Sequence, residues 1–347
     1  MDAPAVRYTT TSDGFDIAFV AEGEGPPLVY LPFHFNHAQR RWTGPLYARG
    51  MAGLRRVYLY DSRGQGLSTR GLHATPTLED YACDLEAVIE ANHLDRFALA
   101  AYGGFAHVAV RYAIEHPERV EALILICTSA SFTAWPLLSM LPLMQENWDL
   151  FLELTYPKNA PEDFKERWLS FQNASVTRDD HIHMVKAFAE SDVSALLPRL
   201  AVPVLLLHSE RQHWLSVDEG AKLAASIPNA RLVFLSGDAE PDDAQCARAS
   251  LAFLEELGPL IQEGAAPSIA APSASLSPRQ REVLKLLAQG MTTREIAARL
   301  ILSERTVQRH IADLYSRIGA RNRAEATAYE LSRAVAGGSA PLGASTQ

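Results

Sequence analysis

Histidine is missing where much acid–base chemistry would need it. The chain has 11 histidines in 347 residues, yet none falls between His213 and His310. That gap excludes an imidazole base from the whole intervening stretch. Cysteine is scarce too: Cys83, Cys127 and Cys246 are odd in number and widely spaced. They suit neither a disulfide framework nor a zinc site, and point to reduced thiols. No long apolar run is present, so no membrane span is expected. The opening residues lack a basic stretch followed by an apolar core, so no secretion signal is expected and the cytoplasm is the expected location. Internal repeats are absent.

Charge is present but unevenly spread. The net charge is −9 from 32 basic and 41 acidic residues. From Leu276 onward there are 11 basic and 6 acidic residues, a balance of +5. The remainder holds 21 basic and 35 acidic residues, a balance of −14. An acidic body repels phosphate, so only the basic C-terminal part is expected to touch nucleic acid.

That part, Leu276–Leu331, reads as four short helices. Ser277-Pro278-Arg279-Gln280 is a capping box with proline at the first helical position, and Gly290 stops the helix. Thr292-Thr293-Arg294-Glu295 is a second capping box, Ser303 a third N-cap, and Asn322-Arg323-Ala324-Glu325 repeats the pattern. In the third helix Val307, Ile311, Leu314 and Ile318 recur at helical spacing and form a buried stripe. Arg305, Arg309, Ala312 and Ser316 take the other face, with Gln308 at its border. Arg matches guanine edges and Gln matches adenine in a major groove. A helix at Arg294–Leu300 and a tight Ile301-Leu302 turn complete a helix-turn-helix, rather than a lone solvated surface helix.

The stretches LSPRQREVLKLLAQGMTTREIAARL and LSERTVQRHIADLYSRIGARNRAEA closely resemble the LuxR-type DNA-binding domain. The resemblance implies a transcription regulator that places Glu304–Ile318 in the major groove, usually as a dimer, with activation the commoner outcome. Arg305, Thr306, Gln308 and Arg309 are then the expected contacts from the recognition helix. Thr293, Arg294, Arg317 and Arg321 are expected on phosphates. Lysine often stands in that family where Gln308 stands here, which leaves the base preference open.

Residues 1–262 read as an α/β domain. Strands are expected at Ile17–Glu22, Pro27–Leu31, Val57–Tyr60, Phe97–Ala101, Ala122–Cys127, Val202–His208 and Arg231–Leu235. Helices are expected at Leu78–Asn92 and Ala106–Glu115. Alternating strands and helices argue for a mostly parallel sheet covered on both faces. Residues 129–200 break the rhythm with aromatic-rich helical segments, including Trp135, Trp148, Phe151, Phe164, Trp168 and Phe171, and read as a cap. Gly258–Ser275 is an Ala/Pro/Ser-rich linker, its core 263–275; residues 276–335 form the helical module and 336–347 a tail with no reason to fold.

This body resembles an α/β-hydrolase through Leu31-Pro32, Asp61-Ser62-Arg63-Gly64-Gln65-Gly66-Leu67-Ser68, the stretch Tyr112–Val120, and Val202–His208. Hydrolases of that fold carry a nucleophile on a strained G-x-S-x-G turn. Here the turn is Ala101-Tyr102-Gly103-Gly104-Phe105, with Gly103 at the nucleophile position. Glycine can hold the strained backbone at low cost but cannot form an acyl-enzyme. Tyr102 becomes a candidate nucleophile if the register shifts by one, and Phe105 stands where a small residue is usual. The acid position is Gln212, with Glu210 a possible substitute, and the base position is Glu240. Losing three roles together argues against triad hydrolysis.

What remains is a pocket: Phe33, His34 and Phe35 on the loop that would line an oxyanion hole, Tyr102, Gly103 and Gly104 at its floor, Trp135 and Trp148 from the cap, and Gln212, Trp214 and Glu240 at the rim. Such a site suits a small, largely apolar ligand. The blander alternative is that these aromatics are core filler and His34 an ordinary loop residue. The expected partners are double-stranded DNA, a second copy of the chain, a small-molecule effector and RNA polymerase. No cofactor, metal or membrane is expected. An active hydrolase with an atypical nucleophile, and a ligand-free dimerisation body, are the competing readings.

Overall fold

Strands covered on both faces must be apolar at nearly every position, and β5 (Phe97–Tyr102), β6 (Val120–Ile126) and β7 (Val204–Ser209) are buried almost end to end. The computed structural model describes residues 5–40, 47, 50–51, 53–155, 165–209, 215–235, 243–262, 278–288, 291–300, 302–303, 306–307, 310–311, 314 and 326. In it, β1 (Arg7–Thr10), β2 (Asp16–Glu22), β3 (Pro27–Tyr30), β4 (Arg56–Tyr60) and β8 (Ala230–Leu235) join the three buried strands. The eight run in the order β1-β2-β4-β3-β5-β6-β7-β8. β1 and β2 pair antiparallel, as do β2 and β4; every other pairing is parallel.

Alternate side chains feed two separate cores, as the two-residue period of a strand requires. Phe97, Leu99, Ala101, Leu123, Leu125, Val204 and Leu206 join one core, with residues of α1 (Leu78–Ala91), α2 (Phe105–Glu115) and the cap. Ala98, Ala100, Ile124, Ile126, Leu205 and Leu207 join the other. The second core is closed by Tyr47, Met51 and α8 (Asp243–Gln262), through Phe253, Leu254 and Leu257. α1 starts at a capping box in which Asp80 N–H donates to Thr77 Oγ1 and Thr77 N–H to Asp80 Oδ2.

The cap follows β6. It comprises two 3-10 turns (Phe132–Ala134, Pro136–Met140), α3 (Leu141–Glu146), α4 (Trp148–Leu154), α5 (Lys165–Ser175) and α6 (Arg178–Ala189). α7 (Val217–Ala225) links β7 to β8.

Several details differ from the sequence expectation. β1 was not expected; its side chains are mostly exposed, so it carries little apolar signal. The helix after the glycine turn begins at Phe105, not Ala106, because Phe105 is itself a core residue, packed on Tyr81 and Phe188 with centroids 5.1 Å away in each case. A phenylalanine there does not disturb the helix. Gly258–Gln262, expected within the linker, continue α8 instead.

The C-terminal module has its own small core. α9 (Pro278–Ala288) and α10 (Thr293–Leu300) bury Val283, Leu284, Leu287, Ile296 and Leu300 together with Val307, Leu314 and Ala326. Thr292 and Glu295 form the expected capping box: Glu295 N–H donates to Thr292 Oγ1, and Thr292 N–H to Glu295 Oε2. Ser303 accepts from Thr306 N–H at 3.1 Å, as an N-cap should. Arg279 closes the other end of α10 by donating to Leu300 O at 2.6 Å, satisfying a carbonyl the helix leaves unpaired.

Candidate ligand chamber and DNA-binding module

β5 runs into a sharp turn at Gly103, whose φ is +60°. This left-handed conformation is the one glycine adopts without penalty. Gly103 N–H donates to Ile126 O, and Gly103 O accepts from Thr128 Oγ1 at 2.9 Å and from Ala106 N–H. β6 and its following residues therefore clamp the turn from one side, while α2 grows from the other.

No side chain stands on the turn, and aromatic rings come down onto it. A Cβ on Gly103 would meet Trp135 Cη2 at 3.2 Å and Phe33 Cε2 at 3.8 Å. A Cβ on Gly104 would meet Phe132 Cε2 at 3.0 Å and Phe188 Cγ at 3.1 Å. The two glycines thus make room for cap rings. Trp135 stacks on Phe132 with centroids 5.7 Å apart and is tethered by Nε1–H to Ser129 Oγ at 3.1 Å.

A cleft remains between the turn and the cap, lined by Phe33, His34, Gly104, Trp135, Met184 and Phe188 among others. Its void totals about 300 Å³, open solvent at the mouth included, and its interior has room for about one or two waters. The chamber is therefore closed down by its own aromatics. Of the residues expected to line it, Phe33, His34, Gly104 and Trp135 do so. Tyr102 packs edge-on against Phe33 at 4.4 Å. Phe35 and Trp148 lie one ring further back, around His181; they wall the histidine rather than the cleft. Gln212, Trp214, Glu240 and Glu210 lie outside the described residues.

Sequence reading missed Phe105, Phe132, Leu137, Met184, Val185 and Phe188 as lining residues. Met184, Val185 and Phe188 share one face of α6, three, four and seven residues beyond His181, a spacing that was available in the sequence.

His181 has no accessible surface, and neither ring nitrogen has a hydrogen-bond partner. Its ring stacks on Phe35 at 4.7 Å and 11° and is flanked by Phe151, Trp148 and His34. Burial pushes its pKa down to about 3; the His34 backbone pulls the other way without reaching hydrogen-bonding geometry. His34 keeps some accessible surface, yet enough protein surrounds it that burial, then the neighbouring His181, holds it well below the usual imidazole value. Both rings are neutral at physiological pH.

The loop carrying these rings is braced by Asp61, which has no accessible surface. Its carboxylate accepts from Asn36 Nδ2, Ala38 N–H and Leu67 N–H, at 2.8–2.9 Å. Burial raises its pKa to about 6 against the pull of those donors. His107 on α2 ties the turn's helix to the cap. Its Nδ1 meets Ser191 Oγ at 2.5 Å and its Nε2 meets Ser129 O at 2.9 Å. A carbonyl can only accept, so Nε2 carries the proton and Nδ1 takes the serine hydrogen.

In the helical module, Thr293 is half-buried at the start of α10, and the half-buried Thr306 has its hydroxyl 2.8 Å from Ser303 Oγ. Arg294 belongs to α10. Arg305, Gln308, Arg309, Arg317 and Arg321 lie outside the described residues. Val307 and Leu314 are fully buried and Ile311 packs against them.

Residues 274–329 match the pattern of the bacterial regulatory proteins of the luxR family. The spore germination protein GerE of Bacillus subtilis (strain 168) is 45% identical over 51 residues, which are 15% of this chain and 69% of GerE. The chain belongs to the luxR family of bacterial regulatory proteins. Outside this luxR module, residues 54–168 match the alpha/beta hydrolase fold. A hydrolase from Pseudomonas aeruginosa PA01 superposes with a TM-score of 0.61 at 23% identity, covering 75% of this chain and 99% of that one; this likeness shows the fold alone. The luxR likeness extends to a probable regulator, GfsR of Streptomyces halstedii, 42% identical over 55 residues. That match takes in 16% of this chain and 23% of GfsR, so the chain spans about a quarter of that relative. The chain thus joins a luxR-family module to a hydrolase-fold unit. Among the described residues, no helix is long and apolar enough to cross a membrane.

Proposed function

We propose that the hydrolase-fold unit of this regulator has given up hydrolysis and senses a small, largely apolar ligand. Ligand binding alters the pairing of two chains and hence the spacing of two luxR modules on a two-fold DNA site. The observation that carries this reading is the Gly103 turn, which keeps its left-handed backbone while Trp135 occupies the space above it. An acyl-enzyme needs a nucleophile there and room for a carbonyl beside it; this turn supplies neither. Gln212 and Glu240, at the positions the resemblance assigns to acid and base, support the same conclusion, since an amide cannot carry the charge of the acid and Glu240 is not the imidazole of a triad.

The module's basic balance supports double-stranded DNA as its partner, with Arg305, Thr306, Gln308 and Arg309 toward bases and Thr293, Arg294, Arg317 and Arg321 toward phosphates. The units proposed are residues 1–262 as sensor, 263–275 as linker and 276–335 as DNA-binding module.

The test is turnover of p-nitrophenyl butyrate by the purified chain. Release of nitrophenol at the buffer rate is expected. Saturable turnover that disappears in Tyr102→Phe or Glu210→Gln would overturn the proposal in favour of an active hydrolase with an unusual nucleophile.

A further inference from the structure

The polar groups around the chamber define what it can hold. Face by face, α6 presents His181, Met184, Val185 and Phe188 at helical spacing; the last three line the cleft, and His181 ends the same stripe. His34, itself a lining residue, stands between His181 and the cleft, with the two ring centroids 5.9 Å apart. Just behind Phe33 and Met184 lies Gln65, 2% exposed. Its Nε2 donates to Phe33 O at 2.7 Å, which fixes the amide orientation, because that carbonyl can only accept. Gln65 Oε1 is then a buried acceptor, and it has no hydrogen-bond partner. Behind the cleft lining, next to His34 and to Phe33 and Met184, lie three buried polar atoms without a hydrogen-bond partner: both nitrogens of His181 and Gln65 Oε1.

Unpaired buried polar atoms are costly and uncommon, and a phenylalanine would fill the His181 box without that penalty. The groups are also chemically selective. A neutral imidazole offers one donor and one acceptor, and the amide oxygen only accepts. A ligand hydroxyl can accept from the imidazole N–H and donate its one proton to one of the two acceptors, pairing two of the three atoms. A carboxylate fits poorly: it brings a charge to a desolvated wall whose two imidazoles are uncharged, and none of the residues lining the cleft is a lysine or arginine. Space for a ring comes from Trp135, whose indole already sits over Gly103 and is held to Ser129 by a single hydrogen bond.

We propose that the chamber binds an uncharged, mainly aromatic molecule bearing one hydroxyl. Its ring takes the place of the Trp135 indole, and its hydroxyl is turned to the wall formed by His34, His181 and Gln65. This rests on the sensing function proposed above and adds to it the chemical class of the ligand and the residue it displaces.

The experiment compares p-cresol, toluene and p-toluate, which share a ring and differ in one group, by thermal shift and NMR titration of the full chain, the Trp135→Ala variant and the His181→Phe variant. p-Cresol is expected to bind about 3- to 10-fold more tightly than toluene, the ratio one added hydrogen bond supplies, with p-toluate weakest and Trp135→Ala tightening the first two. His181→Phe should fold with an unchanged or higher Tm and reduce the cresol-to-toluene ratio toward one. Binding of p-toluate as tight as that of p-cresol, or an undiminished ratio in a folded His181→Phe, overturns the hydroxyl assignment while leaving a sensor in place. Silence toward all three compounds in the wild type and in Trp135→Ala overturns the sensing reading itself and this inference with it.

Discussion

Trp135 Cη2 lies 3.2 Å from where an ideal Cβ on Gly103 would stand, closer than an ordinary van der Waals contact. The relationship couples the turn to the cap. A turn that carries glycine leaves space above it, and a tryptophan of the cap comes down into that space. A side chain placed on the turn therefore meets the cap.

Gly103→Ser makes this measurable. The left-handed backbone at φ +60° and the contact with Trp135 should together lower stability by about 1–3 kcal/mol. Ester turnover should stay at the buffer rate, because Glu240 stands at the position the resemblance gives to the base. Urea unfolding and a p-nitrophenyl butyrate assay check the two parts, and a gain of turnover would show that a working base is present after all.

Burial of His181 predicts a pH dependence with a definite sign. Its folded pKa, about 3, lies below the ordinary imidazole value of about 6.5. The unfolded chain thus binds the extra proton first as pH falls, and stability is lost on going down from about 6.5 toward 3. Relative to His181→Phe, the wild type should lose about 2 kcal/mol by pH 5. Taking the difference between the two proteins removes the opposing contribution of Asp61, whose raised pKa favours the fold at low pH. Parallel stability curves between pH 7 and pH 5 would contradict a neutral buried imidazole at this position.

Asp61→Ala strips the acceptor from Ala38 N–H and Leu67 N–H. Asn36 keeps its second bond to Tyr60 O. Two backbone donors left unpaired should cost about 2–5 kcal/mol, read as a lower urea midpoint. Asp61→Asn, which retains an acceptor oxygen, should cost less.

For the luxR module, Arg305→Ala and Arg309→Ala should each weaken binding to DNA selected by the protein from a random pool by about 1–3 kcal/mol. Arg317→Ala and Arg321→Ala should instead weaken binding to every sequence alike and flatten its salt dependence. Fluorescence anisotropy across a salt series separates the two classes. Unchanged affinity for Arg305→Ala and Arg309→Ala together would remove this helix from the groove.

The recognition of both units was local chemistry. Capping residues, the Val307–Ile311–Leu314 stripe and the fully apolar β5 and β6 each declare themselves within a dozen residues, because helix and strand periodicity is imposed by the backbone. The glycine pair after β5 was equally legible, since a missing side chain needs no structure to be noticed. β1 escaped because its side chains are mostly exposed and it relies on pairing with β2.

The amino-acid order alone determined that the chain joins a basic helix-turn-helix module to an acidic α/β body, and that the turn after β5 carries glycine. Which rings close the chamber was decided only in three dimensions. Phe33, the Phe132 and Trp135 pair, and Phe188 come from distant parts of the sequence and meet at one turn. Periodicity tells a residue which face to bury but not whose face it will meet, and that pairing is set by the long-range packing of the cap on the sheet. The same holds for the unpaired nitrogens of His181: a histidine in a helix is unremarkable until its neighbours prove to be Phe35, Phe151 and Trp148, with no partner for either nitrogen.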